Sequence, residues 1–240
     1  MAATVFYIDR VPDVGETAVL DGREGRHAAT VRRIGVGESL TLSDGTGTFA
    51  DTTVVAAQKD RLDLSVSRRW SVEPSTPTVT LVQALPKSER SELAVELATE
   101  AGVDRIVPWQ ASRCVARWEG PKAHKGTAKW RAAALAAAQQ SRRPFVPAVD
   151  ELHDTQSMLE LIDAAIADGG VVAVLHESAR DRFADLPFRD ATSVTLVVGP
   201  EGGLDDRELD KLLAAGARPV LLGPTVLRTS TAAASPTPRR

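Results

Sequence analysis

The sequence predicts an α/β protein in two parts, a small β-barrel followed by an open α/β sheet. Three observations predict it. Over the first seventy residues, short β-branched runs of period two are separated by glycine turns. A polar stretch with two prolines, Ser71-Val-Glu-Pro-Ser-Thr-Pro77, then interrupts the rhythm. Beyond it, bare apolar runs alternate with helical segments, the pattern of a sheet with helices packed on it. The boundaries expected are 1–72 for the barrel, 73–77 for a linker and 78–240 for the second domain.

Taken in order, Thr4 to Ile8 is a short β-prone run. A helical piece spans about Glu24 to Ile34 and is closed by Gly35. Ser39-Leu-Thr-Leu-Ser43 alternates into Asp44-Gly-Thr-Gly47, and Thr48 to Ala57 and Leu62 to Ser67 follow. Asp-Gly between alternating runs signals a hairpin. Thr78 to Ala84 is an apolar strand. Ser88 can cap a helix through about Ala101, with Leu93, Leu97 and Ala101 on one face and Gly102 as the stop. Arg105 to Pro108 is a short strand. Thr127 to Arg143 is an Ala-rich helix with Arg142 and Arg143 in its last turn, where they complement the helix dipole. Val171 to Leu175 and Ser193 to Val198 are bare apolar strands of the buried, parallel kind. Asp205 to Ala215 is a helix, and Pro219 to Leu222 a final strand.

Composition narrows the class. No stretch reaches the roughly eighteen apolar residues that span a bilayer, and the N-terminus does not read as a secretory signal. A lone cysteine, Cys114, leaves no partner for an internal disulfide, and no Cys/His group has zinc spacing. These features point to a cytoplasmic protein without a metal or a membrane partner. The formal net charge of −3 hides a segregation. Residues 113–147 hold eight basic side chains and one acidic one, whereas 148–210 hold fifteen acids and four bases. The basic stretch contains Trp118 and Trp130. It is therefore a candidate for phosphate contacts and base stacking, or else a solvated helix face.

The most informative segment is Val194-Thr-Leu-Val-Val-Gly199-Pro-Glu-Gly-Gly203-Leu-Asp-Asp-Arg-Glu208. A buried strand enters a glycine-rich turn and then an acidic helix start. Ligands bind at the C-terminal ends of such strands, and glycines let backbone amides approach them. The spacing matches neither the dinucleotide fingerprint nor the P-loop. Asp205, Asp206 and Glu208 suit the helix dipole but repel phosphate, which argues against a polyphosphate site. Val220-Leu-Leu-Gly223-Pro-Thr-Val-Leu-Arg228 repeats the layout of strand and Gly-Pro turn. Leu175-His176-Glu177 ends a third apolar strand. The three could wall one pocket, although His176 alone reads as a surface histidine.

Leu-Val-Val-Gly199-Pro-Glu-Gly-Gly203 paired with Leu221-Leu-Gly-Pro-x-Val-Leu-Arg228-Thr resembles the ribosomal small-subunit RNA (uridine-N3) methyltransferases of the SPOUT superfamily. The likeness spans nearly the whole chain. It includes His27-x-x-x-Val31-x-Arg33 and Asp44-Gly-x-Gly47, Lys87 and Thr99-Glu-x-Gly-Val103, and Arg113-Cys114-Val115 with Gln140-x-x-Arg143. The resemblance implies an N-terminal PUA-like β-barrel and a C-terminal SPOUT-type α/β domain with a trefoil knot, working as a homodimer on 16S ribosomal RNA or the small ribosomal subunit. It implies that Leu175, His176, Gly199, Gly202, Leu222, Gly223, Leu227 and Arg228 surround S-adenosylmethionine. It also implies that Arg10, Arg32, Arg33, Arg113, Gln140 and Arg143 face RNA.

The chemistry that this implies needs no metal, because a sulfonium methyl is already electrophilic. Uracil N3 must lose its proton, and the charge that appears on the uracil oxygens must be balanced. Arg228 is the candidate for that balance and Glu201 for proton acceptance, with a loop-stabilising carboxylate as the alternative reading of Glu201. N3 lies on the pairing edge, so the target base should be unpaired or flipped out. The chain departs from the family at Ser230, where Glu is usual, at Thr225, where Arg is usual, and at Leu97, a frequent Lys. It closes on Ala232-Ala-Ala-Ser-Pro-Thr-Pro-Arg-Arg240, where the family has an apolar helix, and its two prolines should prevent that helix. The departures leave a non-catalytic RNA-binding protein, or a ribose 2′-O-methyltransferase, as the alternatives.

Overall fold

Period-two alternation builds the first sheet of the computed structural model, which describes residues 5–87, 90–225 and 227–234. Strands β1 (Val5–Tyr7), β2 (Thr17–Leu20), β3 (Ser39–Ser43), β4 (Thr48–Gln58) and β5 (Arg61–Ser71) pair in the order β1-β3-β4-β5-β2. β1 and β3 run parallel and the other pairs antiparallel. The Asp-Gly hairpin forms as its sequence requires: Leu42 faces Ala50 across β3 and β4. The Asp44 carboxylate accepts the backbone N–H groups of Thr46 (2.8 Å) and Thr48 (3.0 Å). Those bonds favour the ionised form and hold its pKa below the usual carboxylate value despite partial burial. Phe6, Leu20, Leu40, Leu42, Leu62 and Leu64 fill the core beneath the sheet. The expected helix is a short α1 (Gly22–Arg26) continued by a π-type turn, His27–Val31, with Ala28 buried.

The chain divides into two compact units. The first unit comprises Met1–Pro74 together with Ala138–Val146, and the second comprises the rest. Residues 138–146, expected in the second domain, join the first through backbone bonds from Gly47 N to Pro144 O and from Val146 N to Gly45 O, both 2.9 Å. Tyr7 adds a hydroxyl bond of 2.5 Å to the Arg143 carbonyl. Burial there pushes the Tyr7 phenol up to about 12.

In the second unit, β6 (Thr78–Ala84), β7 (Arg105–Trp109), β8 (Ala148–Val149), β9 (Val171–Leu175), β10 (Asp181–Arg182), β11 (Ser193–Val198) and β12 (Arg218–Leu221) form one sheet. Its order is β10-β12-β9-β11-β6-β7-β8, and every pairing is parallel. The predominantly apolar sequences of β6, β9 and β11 follow from burial on both faces. Helices α2 (Ser91–Ala101), α3 (Pro121–Ser141), α4 (Thr155–Ala167), α5 (Asp206–Ala214) and the short α6 (Thr229–Ala232) accompany the sheet.

Several expectations change here. The helix expected from Ser88 begins at Ser91 among the described residues, and Ser88 itself lies outside them. It buries Ala94, Val95, Ala98 and Thr99, not the Leu93 stripe, and Leu93 is 40% exposed. Small residues let α2 approach its neighbours closely, so Leu93 turns outward and Leu97 is only half-buried. The Ala-rich helix starts at Pro121 and stops at Ser141, and Arg142 follows in the left-handed region with φ 56°. Arg143 is only 8% exposed and does not lie in a helical last turn. β2, α4, β8, β10 and the short α6 carry no expectation from the sequence. The proline-containing tail from 235 onward lies outside the described residues.

Candidate cofactor and RNA site

The strand order brings the three suspected loops together. β9 lies between β12 and β11, with Val220 beside Leu175 and Val174 beside Val197. Since all three strands run parallel, the Leu175-His176 end, the Gly199–Gly203 turn and the Leu222–Thr225 turn emerge side by side at the C-terminal edge of the sheet. The His176 N–H donates to Val220 O (3.2 Å), which ties two of the loops, and its Nδ1 pairs with Ser178 Oγ (2.8 Å).

The glycine-rich turn has a definite build. The Gly203 N–H closes it on Pro200 O at 2.9 Å, and Gly203 sits at φ +71°, which suits a residue without Cβ. A Cβ on Gly199 would stand 3.0 Å from the Leu204 side chain, so a larger residue there would make Leu204 shift. Asp205 then caps α5 by accepting the Arg207 N–H at 3.0 Å.

The segments after β6 and β7, on one side of β11, hold this turn. Beyond β6, the Lys87 backbone N–H donates to Glu201 Oε1 at 3.0 Å. Beyond β7, the Arg113 guanidinium donates to Leu204 O at 2.9 Å and stands 3.6 Å from the Asp205 carboxylate. Glu208, 7% exposed in the first turn of α5, accepts the Ser112 N–H (2.9 Å), the Ser112 hydroxyl (2.8 Å) and the Thr155 hydroxyl (2.9 Å). Sequence reasoning missed Ser112, Thr155 and the purpose of Glu208. Its position three residues after the cap reads as a dipole partner or capping box, and nothing local signals a long-range bond.

Arg228 is exposed just before α6, and no carboxylate lies within ion-pairing distance among the described residues. Leu227 is 41% exposed, Gly223 and Thr225 are exposed, and Ser230 is buried at 1%. Val226 lies outside the described residues.

On the RNA side, Arg10, Arg32 and Arg33 are exposed in the first unit, as is Gln140, whereas Arg143 is buried there. The two tryptophans of the basic stretch are not stacking platforms. Trp130 is fully buried and donates from Nε1 to Ser91 Oγ at 2.8 Å, and Trp118 packs edge-on against it at 5.2 Å. The bulk of both rings is spent on the core, which outweighs any base contact. Several of the basic residues are also paired: Arg131 with Glu151 at 2.9 Å, and Lys129 with Glu92 at 3.8 Å. Lys122 and Lys125 are exposed on α3. Cys114 is buried, and burial pushes its thiol up, so it is not primed as a nucleophile. Among the described residues no acidic, His or Cys cluster could hold a metal ion, and no helix is long and apolar enough to cross a membrane.

A parallel α/β sheet that presents glycine-rich loops from adjacent strand ends defines a ligand-binding α/β domain. Comparison with known proteins specifies the class further. An RNA methyltransferase domain model matches residues 73–237, and an RNA methyltransferase PUA domain model matches residues 20–67. The chain belongs to this RNA methyltransferase family. It is 55% identical over 234 residues to ribosomal RNA small subunit methyltransferase E of Mycobacterium bovis, covering 98% of this chain and 89% of that one. The Bacillus subtilis protein of the same name is 30% identical over 224 residues, covering 90% and 86%. A crystal structure of the Neisseria gonorrhoeae protein of that name, bound to S-adenosyl methionine, superposes with a TM-score of 0.85 at 26% identity over 97% of this chain and 94% of that one. A Legionella pneumophila methyltransferase in complex with the bound cofactor SAM gives 0.85 at 27% identity, covering 98% and 95%.

Proposed function

We propose that this chain transfers a methyl group from S-adenosylmethionine to N3 of a uridine in 16S, small-subunit ribosomal RNA. One observation carries the reading: the order β12-β9-β11 sets both Gly-Pro turns and the Leu175-His176 end side by side. The relatives named above, small-subunit ribosomal RNA methyltransferases, support it. Leu175, His176, Gly199, Gly202, Leu222, Gly223, Leu227 and Arg228 are assigned to the cofactor. The residues present fit such a group. A Cβ at Gly223 or Gly203 would meet no atom within 4 Å, so these turns leave open space over bare backbone.

When bound, the cofactor supplies an electrophilic sulfonium methyl. The chain's part is to hold the uracil edge in line and to stabilise the deprotonated base. Arg228, free of a carboxylate partner among the described residues, balances the charge on the uracil oxygens. Glu201, with Oε1 engaged by the Lys87 N–H, keeps the turn in register and does not take the proton. Arg10, Arg32, Arg33 and Gln140 offer exposed donors to RNA. Arg143, being buried, supports its segment from within.

In this reading residues 1–72 close into a PUA-like barrel, 73–77 serve as a linker, and the last strands and loops of 78–240 pass through a trefoil knot. The protein works in the cytoplasm as a homodimer. Calorimetric titration with S-adenosylmethionine, followed by methyl transfer to ribosomal RNA from cells lacking the modification, tests the proposal. A folded protein that neither binds nor transfers refutes it.

A further inference from the structure

The segment after β7 and the turn after β11 hold each other by reciprocal bonds. Arg113, from the first, reaches Leu204 O and the Asp205 carboxylate. Glu208, from the second, reaches the Ser112 N–H and hydroxyl. The Thr155 hydroxyl at the start of α4 completes the acceptor set of Glu208. Gly202 lies against the same segment: a Cβ there would stand 3.7 Å from both Arg113 Cβ and Arg113 O.

We propose that Arg113 and Glu208 are positioning residues for the cofactor loop, and that Arg113 sets cofactor affinity in the absence of RNA. The proposal rests on the cofactor site assigned above. Two features of the structure favour it over a simple phosphate contact. The Arg113 guanidinium already spends donors on the turn itself, at a carbonyl one residue beyond Gly203. The buried Glu208 carboxylate accepts three donors from two other segments, so its removal leaves those donors unpaired. With both in place, the turn between Gly199 and Asp205 has fixed ends, and its amides do not have to be ordered when the cofactor arrives. The segment Ser112–Trp118 that leads into the basic helix α3 is thereby fastened to the cofactor loop. Occupancy of one is coupled to the conformation of the other, and such coupling is reciprocal.

The experiment is calorimetric titration of S-adenosylmethionine into the full-length protein without RNA, with RNA affinity measured in parallel and thermal melting as a control of folding. The variants are Arg113→Ala, Arg113→Lys, Glu208→Gln and, for comparison, Lys122→Ala on the exposed face of α3. Wild type and Lys122→Ala should bind alike. Arg113→Ala should bind about tenfold more weakly, the size of one lost hydrogen bond to a charged group. Arg113→Lys, which keeps a charge opposite Asp205, should recover part of the loss. Glu208→Gln, which keeps the volume but cannot accept from all three donors, should also weaken binding. If Arg113→Ala melts too early to titrate, Arg113→Lys and Glu208→Gln carry the same comparison. Cofactor binding that is unchanged in both Arg113 variants overturns the proposal alone, and a reduced RNA affinity beside it makes Arg113 an RNA contact. A wild type that binds no cofactor overturns the cofactor site and this inference together.

Discussion

Replacing Glu201 separates its two possible roles, because Gln and Ala differ in which role they spare. The Glu201 carboxylate accepts the Lys87 backbone N–H at 3.0 Å, a tie between the ends of β6 and β11. A Gln at 201 keeps an acceptor oxygen for that N–H and loses the ability to take a proton. An Ala loses both. Hydrogen bonds to charged groups contribute about 1.5–3 kcal/mol when shielded. This one is exposed, so about 1 kcal/mol is a fair figure after solvent screening. If that tie orders the turn, Glu201→Ala should weaken cofactor binding about fivefold. Its turnover at saturating cofactor should stay within a few-fold of wild type, and Glu201→Gln should resemble wild type in both. A general base would behave otherwise, because its removal costs about 10²–10⁴ in turnover. Steady-state kinetics at saturating S-adenosylmethionine, with calorimetric affinities beside them, read the split. A hundredfold fall in kcat for Glu201→Gln, with cofactor affinity intact, would refute the loop-tie account and make Glu201 the proton acceptor.

Other outcomes follow from the same geometry. Arg228→Ala should lower turnover about a hundredfold or more, far more than it weakens cofactor binding, because the charge balance it removes matters mainly in the transition state; an unchanged rate removes Arg228 from the mechanism. Trp130→Ala empties a fully buried site and strands the Ser91 hydroxyl, so it should cost about 3–5 kcal/mol in a thermal or denaturant melt. Trp130→Phe should cost clearly less. The Tyr7 phenol, raised from 10.0 to about 12 in the folded state, contributes stability that is full below pH 10 and is lost as the pH climbs through about 12. A pH series of melts should show that alkaline loss in wild type, and Tyr7→Phe should lack it.

Much of the second sheet is legible in the sequence for a simple reason. Strands buried on both faces are mostly apolar, so β6, β9 and β11 coincide with the expected runs even though β6 carries the buried Gln83 and β11 the buried Thr195. Short or half-covered elements carry less signal. β2 is four residues long, and α4 has only Met158 and Ile162 fully buried, too narrow a stripe to stand out. Misreadings came where packing, not pattern, decides the outcome. α2 turns its small residues inward and leaves Leu93 outside. Trp118 and Trp130 pack against each other. Arg143 is drawn into the first unit beneath Tyr7.

The site shows the same division. The glycine-rich turns are local and could be found by inspection, and their joining at one edge depends on the order β12-β9-β11. Within a segregated charge pattern, the individual fates of the cations were not legible. Arg113, Lys129 and Arg131 lean on acids from distant segments. No local rule marks Glu208 as the acceptor for Ser112 and Thr155.

The central claim is most directly tested by locating the methyl group. The full-length protein is incubated with S-adenosylmethionine and 16S ribosomal RNA, or small subunits, from cells lacking the modification, and the product nucleoside is mapped by mass spectrometry. The account predicts one methyl on uracil N3, transferred without added metal. A methyl on a ribose 2′-oxygen, or no transfer by a folded protein that binds RNA, would contradict it.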